Sequence, residues 1–552
     1  MATRSERGNI LRLPRARPLV EPLSTARAGF FGSAGFFLRV GLLGAFAALL
    51  FGILALRLWS LQVIQGPAFR HVAQAQTYRF VNLPTTRAAI VDSKNRVLAS
   101  STGRVVLTAD PAALGTIDKH GRWTPSRRGI ALLERAARVA KTTATPLIRR
   151  LKRDVVRSPY APAVVLPDLT PDLSYFFDER GAVFPGLHVA VLPDRNYPQG
   201  GLGGEFLGLL GEIGPTQLKE RGYRGYQPGE VIGQSGVEAA YDRVLNGGLD
   251  RARVAVDSLG RTVGPLQVVH HKQPSRILQL SIDADVQRAA EQAIRNGIGY
   301  AHLAGHSDAN AGAAVVLDPR DGSVLALASY PDFNQVEAAT SPSYLDRLLH
   351  SNNPATPLLN RATQGLYPTG SAFKPIVAEA GLATGAITPS TSLLCSGSFT
   401  IGGFTFHNVE PSVYSFMSLP QALSQSCDTW FYRLGDKLYF QHGTPIQDWA
   451  HRLGLGRPTG LDLPGESTGV VPTPQWLQKT WHQPWYEGNT INLSIGQGYL
   501  AVTPLQLAVA YSALVNGGTV WKPHVAKAVL APDGRVIREL HFKPRAHVQL
   551  KD

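Results

Sequence analysis

Ala313-Ala-Val-Val-Leu-Asp-Pro-Arg-Asp-Gly-Ser-Val-Leu-Ala-Leu-Ala328 reads as a β-hairpin in which two apolar strands flank a Pro-Arg-Asp-Gly turn. The strands are apolar almost without interruption, so both faces of the sheet are expected to be covered, and helices are the expected covers. The predicted fold class is therefore α+β, an antiparallel sheet sandwiched between helices. A strand from Ile277 to Ile282 and a helix from about Ala284 to Ile294, with Asp283 as its cap, lead into the hairpin.

Downstream, Leu366-Tyr-Pro-Thr-Gly-Ser-Ala-Phe-Lys-Pro375 stands directly ahead of an apolar stretch that reads as a buried helix. Ser371 and Lys374 are three apart. Residues i and i+3 share a helix face, so the amine is expected to reach the hydroxyl without help from elsewhere, as a nucleophile with its base built in. Pro368 and Gly370 punctuate the chain before the helix, and Pro375 is tolerated only in a first turn, where its missing N–H is not needed. The helix N-terminus then faces the reacting centre and favours negative charge there. A helix-capping serine followed by a solvated lysine has the same spacing, so the pair gains meaning only from the rest of the chain.

The chain has 552 residues, of which 44% are hydrophobic, enough for several domains with large buried cores. The 55 Lys and Arg against 40 Asp and Glu give a net charge of +15. No basic run interleaved with aromatics forms a recognisable nucleic-acid module, so no nucleic-acid partner is expected, and an anionic envelope is the better match for the charge. Cys395 and Cys427 lack the CxxC or histidine spacing of a zinc site, and no metal or cofactor is expected. The two cysteines could pair in an oxidising compartment, although nothing in the sequence requires it.

Val40 to Leu56 is free of charge and, with the apolar residues around Arg39, approaches the roughly 20 residues that cross a bilayer. Arg4, Arg7, Arg12, Arg15, Arg17 and Arg27 precede it against Glu6 and Glu21, which places the N-terminus in the cytoplasm and the remainder outside. Leu54-Ala-Leu-Arg-Leu-Trp59 offers no small-x-small cleavage site, so the segment reads as an uncleaved anchor, with Trp59 at the headgroup level.

Between anchor and hairpin, Thr85 to Ala99 reads as strand, turn and strand, with the turn at Asp92 to Asn95. Residues from about 130 to 155 place Arg and Lys around apolar positions at helical spacing, a solvated basic helix face. Gly233 to Gly247 reads as a helix opened by Ser235 and closed by Gly247 and Gly248, and Val254 to Val263 as another strand, turn and strand. His270-His-Lys-Gln-Pro-Ser275 is the candidate linker between the halves; its adjacent histidines do not share a face as a ligand pair would.

Leu359-Asn-Arg-Ala-Thr-Gln-Gly-Leu-Tyr-Pro-Thr-Gly-Ser-Ala-Phe-Lys-Pro375 resembles the first active-site motif of the penicillin-binding proteins. Ser424-Gln-Ser-Cys-Asp-Thr-Trp-Phe-Tyr-Arg-Leu434 resembles the second, with Ser426 first and Asp428 third. Gly454 to Gly465 and Gly496-Gln-Gly-Tyr-Leu-Ala-Val-Thr-Pro-Leu-Gln-Leu-Ala508 are similar to segments of class B members. The anchor, the Arg87 to Ala99 hairpin and Gly233 to Gly264 resemble that class's non-catalytic pedestal, and an aspartate at the third place of the second motif is typical of its elongation-type branch, the penicillin-binding protein 2 group.

The resemblance implies a peptidoglycan D,D-transpeptidase of cell-wall elongation that acts on stem peptides and is acylated by penicillins. Ser371 would attack the carbonyl between two terminal D-alanines, releasing one, and an amine from a second strand would resolve the acyl-enzyme. The implied catalytic residues are Ser371, Lys374, Ser426 and Asp428. Lys374 can take the serine proton only when neutral, a state that burial favours, and Ser426 is suited to relay a proton to the departing amine. A carboxylate beside Lys374 would hold it charged. Asp428 is therefore expected to contact the substrate amide or to lie beyond pairing distance from Lys374, with helix N-cap as its alternative role. Cys427 is expected to pack inward.

The implied layout is a cytoplasmic tail at 1–33, an anchor at 34–60, a dimerisation-like pedestal at 61–272 and a transpeptidase domain at 273–552. The implied location is the inner membrane, with the catalytic domain in the periplasm. Stem peptides, β-lactams, the membrane, and a polytopic glycan polymerase with other elongation-complex proteins are the implied partners. The family's Lys-Thr-Gly motif does not occur in this sequence, so the transpeptidase half is expected to be C-terminally incomplete and to lack an oxyanion-hole donor, a loss that commonly costs ~10²–10³ in rate. Two other readings stand beside the leading one: a catalytically silent anchored scaffold that regulates a polymerase, and a β-lactamase or penicillin sensor, which the large pedestal disfavours.

Overall fold

The computed structural model describes residues 34–64, 78–84, 86–117, 122–157, 162–226, 230–246, 249–255, 267–270, 276–350 and 355–551. Residues 1–77 and 78–552 form two compact units. In the first, Ala34–Trp59 is a continuous α-helix of 26 residues that runs on as a π-helical turn, Ser60–Ile64. Its described side chains are largely exposed and apolar, Leu43, Phe51 and Leu54 among them, and the span Arg39–Ile64 is long and apolar enough to cross a membrane. The arginine-rich tail, residues 271–275 of the 270–275 linker and residues 256–263 of the 254–263 segment lie outside the described residues.

The second unit contains the hairpin. Strands Gly312–Leu317 and Val324–Tyr330 pair antiparallel from Gly312 opposite Tyr330, and Gly322 closes the turn at φ +82°. Alternation divides their side chains between two covers. Ala314, Val316, Ala326 and Ala328 pack with Ala290 and Ile294 of helix Ala284–Leu303, while Val315, Leu317 and Leu327 join the main core with Val509, Ala510 and Ala513 of helix Pro504–Val515. Gln287 locks the first cover to the sheet: its amide nitrogen donates to Leu327 O and its oxygen accepts from Leu327 N. The helix opens at Asp283 as the sequence predicts, but it continues through Gly297 and Gly299 to Leu303, and Gly305 at φ +93° follows its end.

The predicted turn after Ile90 is also present. Asp92 Oδ1 accepts from the backbones of Lys94 and Arg96, and Asn95 adopts the left-handed conformation. The second strand, Val97–Ala109, runs well beyond the hairpin and pairs with Leu187–Asn196 over ten positions. The basic stretch forms two helices, Arg127–Val139 and Ala144–Arg157, separated at Lys141 with φ +52°. Leu133, Ala136, Leu147 and Leu151 face a separate core.

The segment after Gly233 departs from its prediction. It folds as two short turns of helix, Gly236–Ala240 and Asp242–Leu245, broken at Tyr241. Ser235 stands at the cap position, but its hydroxyl accepts from Leu209 N instead. Buried carboxylates account for the break: Glu238 is clasped by Arg87 and Arg195, while Asp242 accepts from Gly233 N and Arg87.

Strand Ile277–Leu280 ties the two halves of this unit together. It runs parallel to Ile90–Val91 on one side and antiparallel to Ala526–Leu530 on the other, within a seven-stranded sheet.

Candidate active site

Ser371 lies in a 3₁₀ turn, Gly370–Phe373, that feeds directly into helix Lys374–Thr384. Pro375 occupies the first turn, and Gly385 in the left-handed conformation ends the helix. Phe373, Ile376, Val377 and Ala380 are fully buried, so the helix is a pillar of the core with Ser371 at its exposed entrance. Lys374, one turn further on, is 1% exposed. The nucleophile candidate is therefore open to solvent while its amine lies beneath the surface.

The second motif completes the arrangement. Lys374 Nζ donates to Asp428 Oδ1 at 2.6 Å, to Ser426 O at 2.7 Å and to Ser426 Oγ at 3.1 Å. Ser426 Oγ in turn donates to Ser371 Oγ at 2.7 Å. Among the described residues no direct hydrogen bond joins Lys374 to Ser371. The predicted direct reach across one helix face is replaced by a path through Ser426, because the pair straddles the junction of a tight 3₁₀ turn and an α-helix. Ser426 has φ +52°, a left-handed conformation unusual for a non-glycine residue and of the kind found where geometry serves a site.

Asp428 corrects the sequence reading. It pairs directly with Lys374, and its side chain is 9% exposed against 1% for the lysine. The carboxylate reaches the amine because Asp428 is the first residue of helix Asp428–Tyr439. Cys427 holds the cap position, its sulfur accepting from Trp430 N, so Asp428 is not the cap. Asn408 Oδ1 accepts from Asp428 N. The feared locking of the lysine does not follow, because burial is the larger effect. Burial pulls Lys374 below the usual lysine value, with the Asp428 hydrogen bond and charge opposing it. The Phe431 ring, 5.5 Å from Nζ, adds an apolar wall that also offers a π face to the cation.

Three ties fix the Ser426-Cys-Asp428 turn to strand Ser392–Ser396. Cys427 is disulfide-bonded to Cys395, resolving the pairing that the sequence left open. Thr429 Oγ1 donates to Ser396 O and accepts from Ser396 N, and Arg433 Nε donates to Leu394 O. The Ser371 turn has its own buttress. Gly370 N donates to Gly496 O, and a Cβ at Gly496 would lie 2.1 Å from Gly370 O and 2.4 Å from Thr369 Oγ1, so only glycine admits this approach. Tyr511 Oη donates to Ala372 O, and Tyr367 pairs through its backbone with Val502. The Gly496-Gln-Gly segment thus supports the Ser371 turn. Gly454 to Gly465 is organised separately: Glu466 accepts from Thr459, Gly460 and Leu461, and Asp462 accepts from Tyr241 Oη, Val525 N and Ala526 N.

Sequence reasoning did not single out Asn408, Phe431, Thr369 or Tyr511. Asn408 lies on a loop with no motif, and the others look like ordinary core or turn residues. Among the described residues, no group of three or more His, Cys, Asp and Glu side chains is arranged to hold a metal ion.

Residues 312–552 match the family described as Penicillin binding protein transpeptidase domain, and residues 82–280 match Penicillin-binding Protein dimerisation domain. The peptidoglycan D,D-transpeptidase MrdA of Acinetobacter baumannii is 31% identical over 497 residues, covering 88% of this chain and 69% of that protein. MrdA of Salmonella typhimurium is 30% identical over 485 residues, covering 86% and 73% respectively. A solved chain from a peptidoglycan synthase complex that coordinates polymerization and crosslinking is 29% identical with TM-score 0.65, covering 93% of this chain and 82% of that one. Penicillin-binding protein 2 of Pseudomonas aeruginosa is 26% identical with TM-score 0.56, covering 86% and 77%. The chain belongs to the class B penicillin-binding proteins, in the elongation-type group of peptidoglycan D,D-transpeptidases.

Proposed function

We propose that this chain cross-links peptidoglycan through an acyl-enzyme on Ser371, with Ser426 as proton relay, Lys374 as base and Asp428 as the group that positions and tunes Lys374. The observation that carries this reading is the hydrogen-bond chain from Lys374 Nζ through Ser426 Oγ to Ser371 Oγ. Once Lys374 is neutral, Ser371 passes its proton to Ser426 Oγ as it attacks the D-alanyl carbonyl, and Ser426 passes its own to Nζ. The reverse transfer protonates the departing D-alanine amine. In deacylation the same path takes a proton from the incoming amine of a second stem peptide. Burial keeps the neutral amine accessible, and the Asp428 carboxylate holds Nζ in line.

The apolar helix Ala34–Trp59 supports anchoring in the inner membrane with the catalytic unit on the periplasmic face. The likeness to a chain of a peptidoglycan synthase complex supports work beside a glycan polymerase in the elongation machinery, with residues 61–272 as the pedestal and 273–552 as the transpeptidase domain. Labelling with a fluorescent penicillin tests the catalytic reading. Covalent label should appear on the intact chain and vanish in Ser371→Ala, whereas a folded chain that takes no label would exclude it.

A further inference from the structure

A cavity of about 340 Å³ is lined by Asn489 and Asn492 of helix Glu487–Ser494, by Gln497 and Gly498 of the loop that follows, and by Trp485 and Tyr499. Asn489 and Asn492 are three apart and share a helix face. Trp485 is fixed by its Nε1, which donates to Thr490 Oγ1, and the Tyr499 ring is held between contacts with Trp476 and Trp481. Tyr499 and Trp481 are nonetheless exposed, so an aromatic surface at this cavity stays open to solvent.

The polar groups of the cavity are largely uncommitted. Asn489 Oδ1 accepts from Tyr486 N, which leaves its amide N–H groups free to donate, and the side-chain amides of Asn492 and Gln497 make no hydrogen bond among the described residues. Every lining residue is uncharged, in a chain of net charge +15. Carboxamides beside aromatic faces suit a neutral sugar ring: its C–H groups lie against the negative π face, and its hydroxyl and acetamido groups exchange hydrogen bonds with the amides. A stem peptide, with its free carboxylates and amines, would meet no counter-charge here.

The cavity also adjoins the Ser371 turn. Gly498 lines it, and Gly496 O accepts from Gly370 N. Gly496 and Gly498 are at most about 8 Å apart along the chain, whereas a peptide of about four residues spans roughly 14 Å when extended. A stem attached to a sugar seated at Gly498 therefore has the length to reach the Ser371 turn.

We propose that this cavity binds a neutral N-acetylhexosamine unit of the glycan strand, with its ring face on Tyr499 and its acetamido and hydroxyl groups on Asn489, Asn492 and Gln497. The site rests on the reading of the chain as a peptidoglycan cross-linking enzyme and adds a sugar subsite to it. Holding the strand here keeps the attached stem peptide at high local concentration beside Ser371.

Calorimetric titration of the detergent-solubilised full chain with chitotetraose, an N-acetylglucosamine oligomer without a stem peptide, tests the site. Cellotetraose, with hydroxyls in place of the acetamido groups, is the control. Chitotetraose should bind saturably and at least about tenfold more tightly than cellotetraose. Its affinity should fall at least about tenfold in Tyr499→Ala and about fivefold in Asn492→Leu. Gln497→Ala, which alters an exposed side chain without a bond to the fold, should also weaken binding about fivefold. Binding should persist in Ser371→Ala. A chain that takes penicillin but not chitotetraose would overturn the sugar site alone, whereas one that binds chitotetraose but takes no penicillin would overturn only the catalytic reading. Equal affinity for cellotetraose, or unchanged affinity in both Asn492→Leu and Gln497→Ala, would also overturn the sugar site.

Discussion

Lys374 Nζ and Asp428 Oδ1 lie 2.6 Å apart, nearly sealed from solvent, directly below the exposed Ser371 hydroxyl. Two opposing influences meet at this amine: burial disfavours its charge and the carboxylate favours it, with burial the stronger. With Asp428 and Ser426 supplying three acceptors, the charged amine is fully bonded. The neutral amine can take a proton from Ser426.

This balance predicts the pH dependence of acylation. In the proposed mechanism the base is the deprotonated amine, so the rate should rise with pH through the Lys374 pKa, below the usual lysine value of 10.5, and then level off. Asp428→Asn removes the influence that raises that pKa. The inflection should move to lower pH by at least about 1 unit in rate-versus-pH measurements with a chromogenic penicillin. An unmoved inflection would show that the pair does not tune the base.

Ser426→Ala should slow acylation by about 10²–10⁴-fold by cutting the proton path. Ser426→Gly should be equally slow, yet no less stable than Ser426→Ala, since glycine adopts the +52° φ freely. Stopped-flow acylation and thermal melts read the two effects separately, and near-normal acylation in either variant would remove Ser426 from the path.

Gly496→Ala and Gly498→Ala both place a side chain at positive φ, but only the first drives Cβ to 2.1 Å from Gly370 O, whereas at Gly498 the nearest atom, Asn492 Cβ, is at 3.5 Å. Penicillin acylation should fall at least about tenfold further in Gly496→Ala, because a small misplacement of a nucleophile is costly. Equal losses would mean that the Gly496 contact does not position the Ser371 turn.

Removing the disulfide in Cys395→Ala/Cys427→Ala opens a cross-link spanning 32 residues, and unfolding stability should drop by about 3–4 kcal/mol. Acylation should fall as well, since Cys427 lies between Ser426 and Asp428. Denaturant melts and fluorescent-penicillin labelling of the remaining folded protein measure the two losses independently. Retained stability would assign the tethering to Thr429 and Arg433 instead.

Much of this architecture is local and could be read from the chain. The nearly uninterrupted apolar strands of the Ala313–Ala328 hairpin pointed to two covered faces, Pro375 fixed the start of a helix, Asp92 and Asn95 marked a turn, and a charge-free run marked a membrane-length helix. Each depends on the conformational preferences of neighbouring residues, which sequence carries directly. The Gly236–Leu245 break was not legible, because it depends on Arg87 and Arg195 reaching Glu238 from distant segments.

At the candidate site, spacing and resemblance singled out Ser371, Lys374, Ser426 and Asp428, although Asp428 was expected to stay clear of Lys374. Tertiary structure decided how they meet. The pairing of Asp428 with Lys374, the insertion of Ser426 between Lys374 and Ser371, and the link from Cys427 to Cys395 all join segments separated by more than thirty residues. Whether burial or a neighbouring charge prevails at Lys374 depends on what the packed core excludes, which is a property of the assembled environment and not of any local stretch of chain.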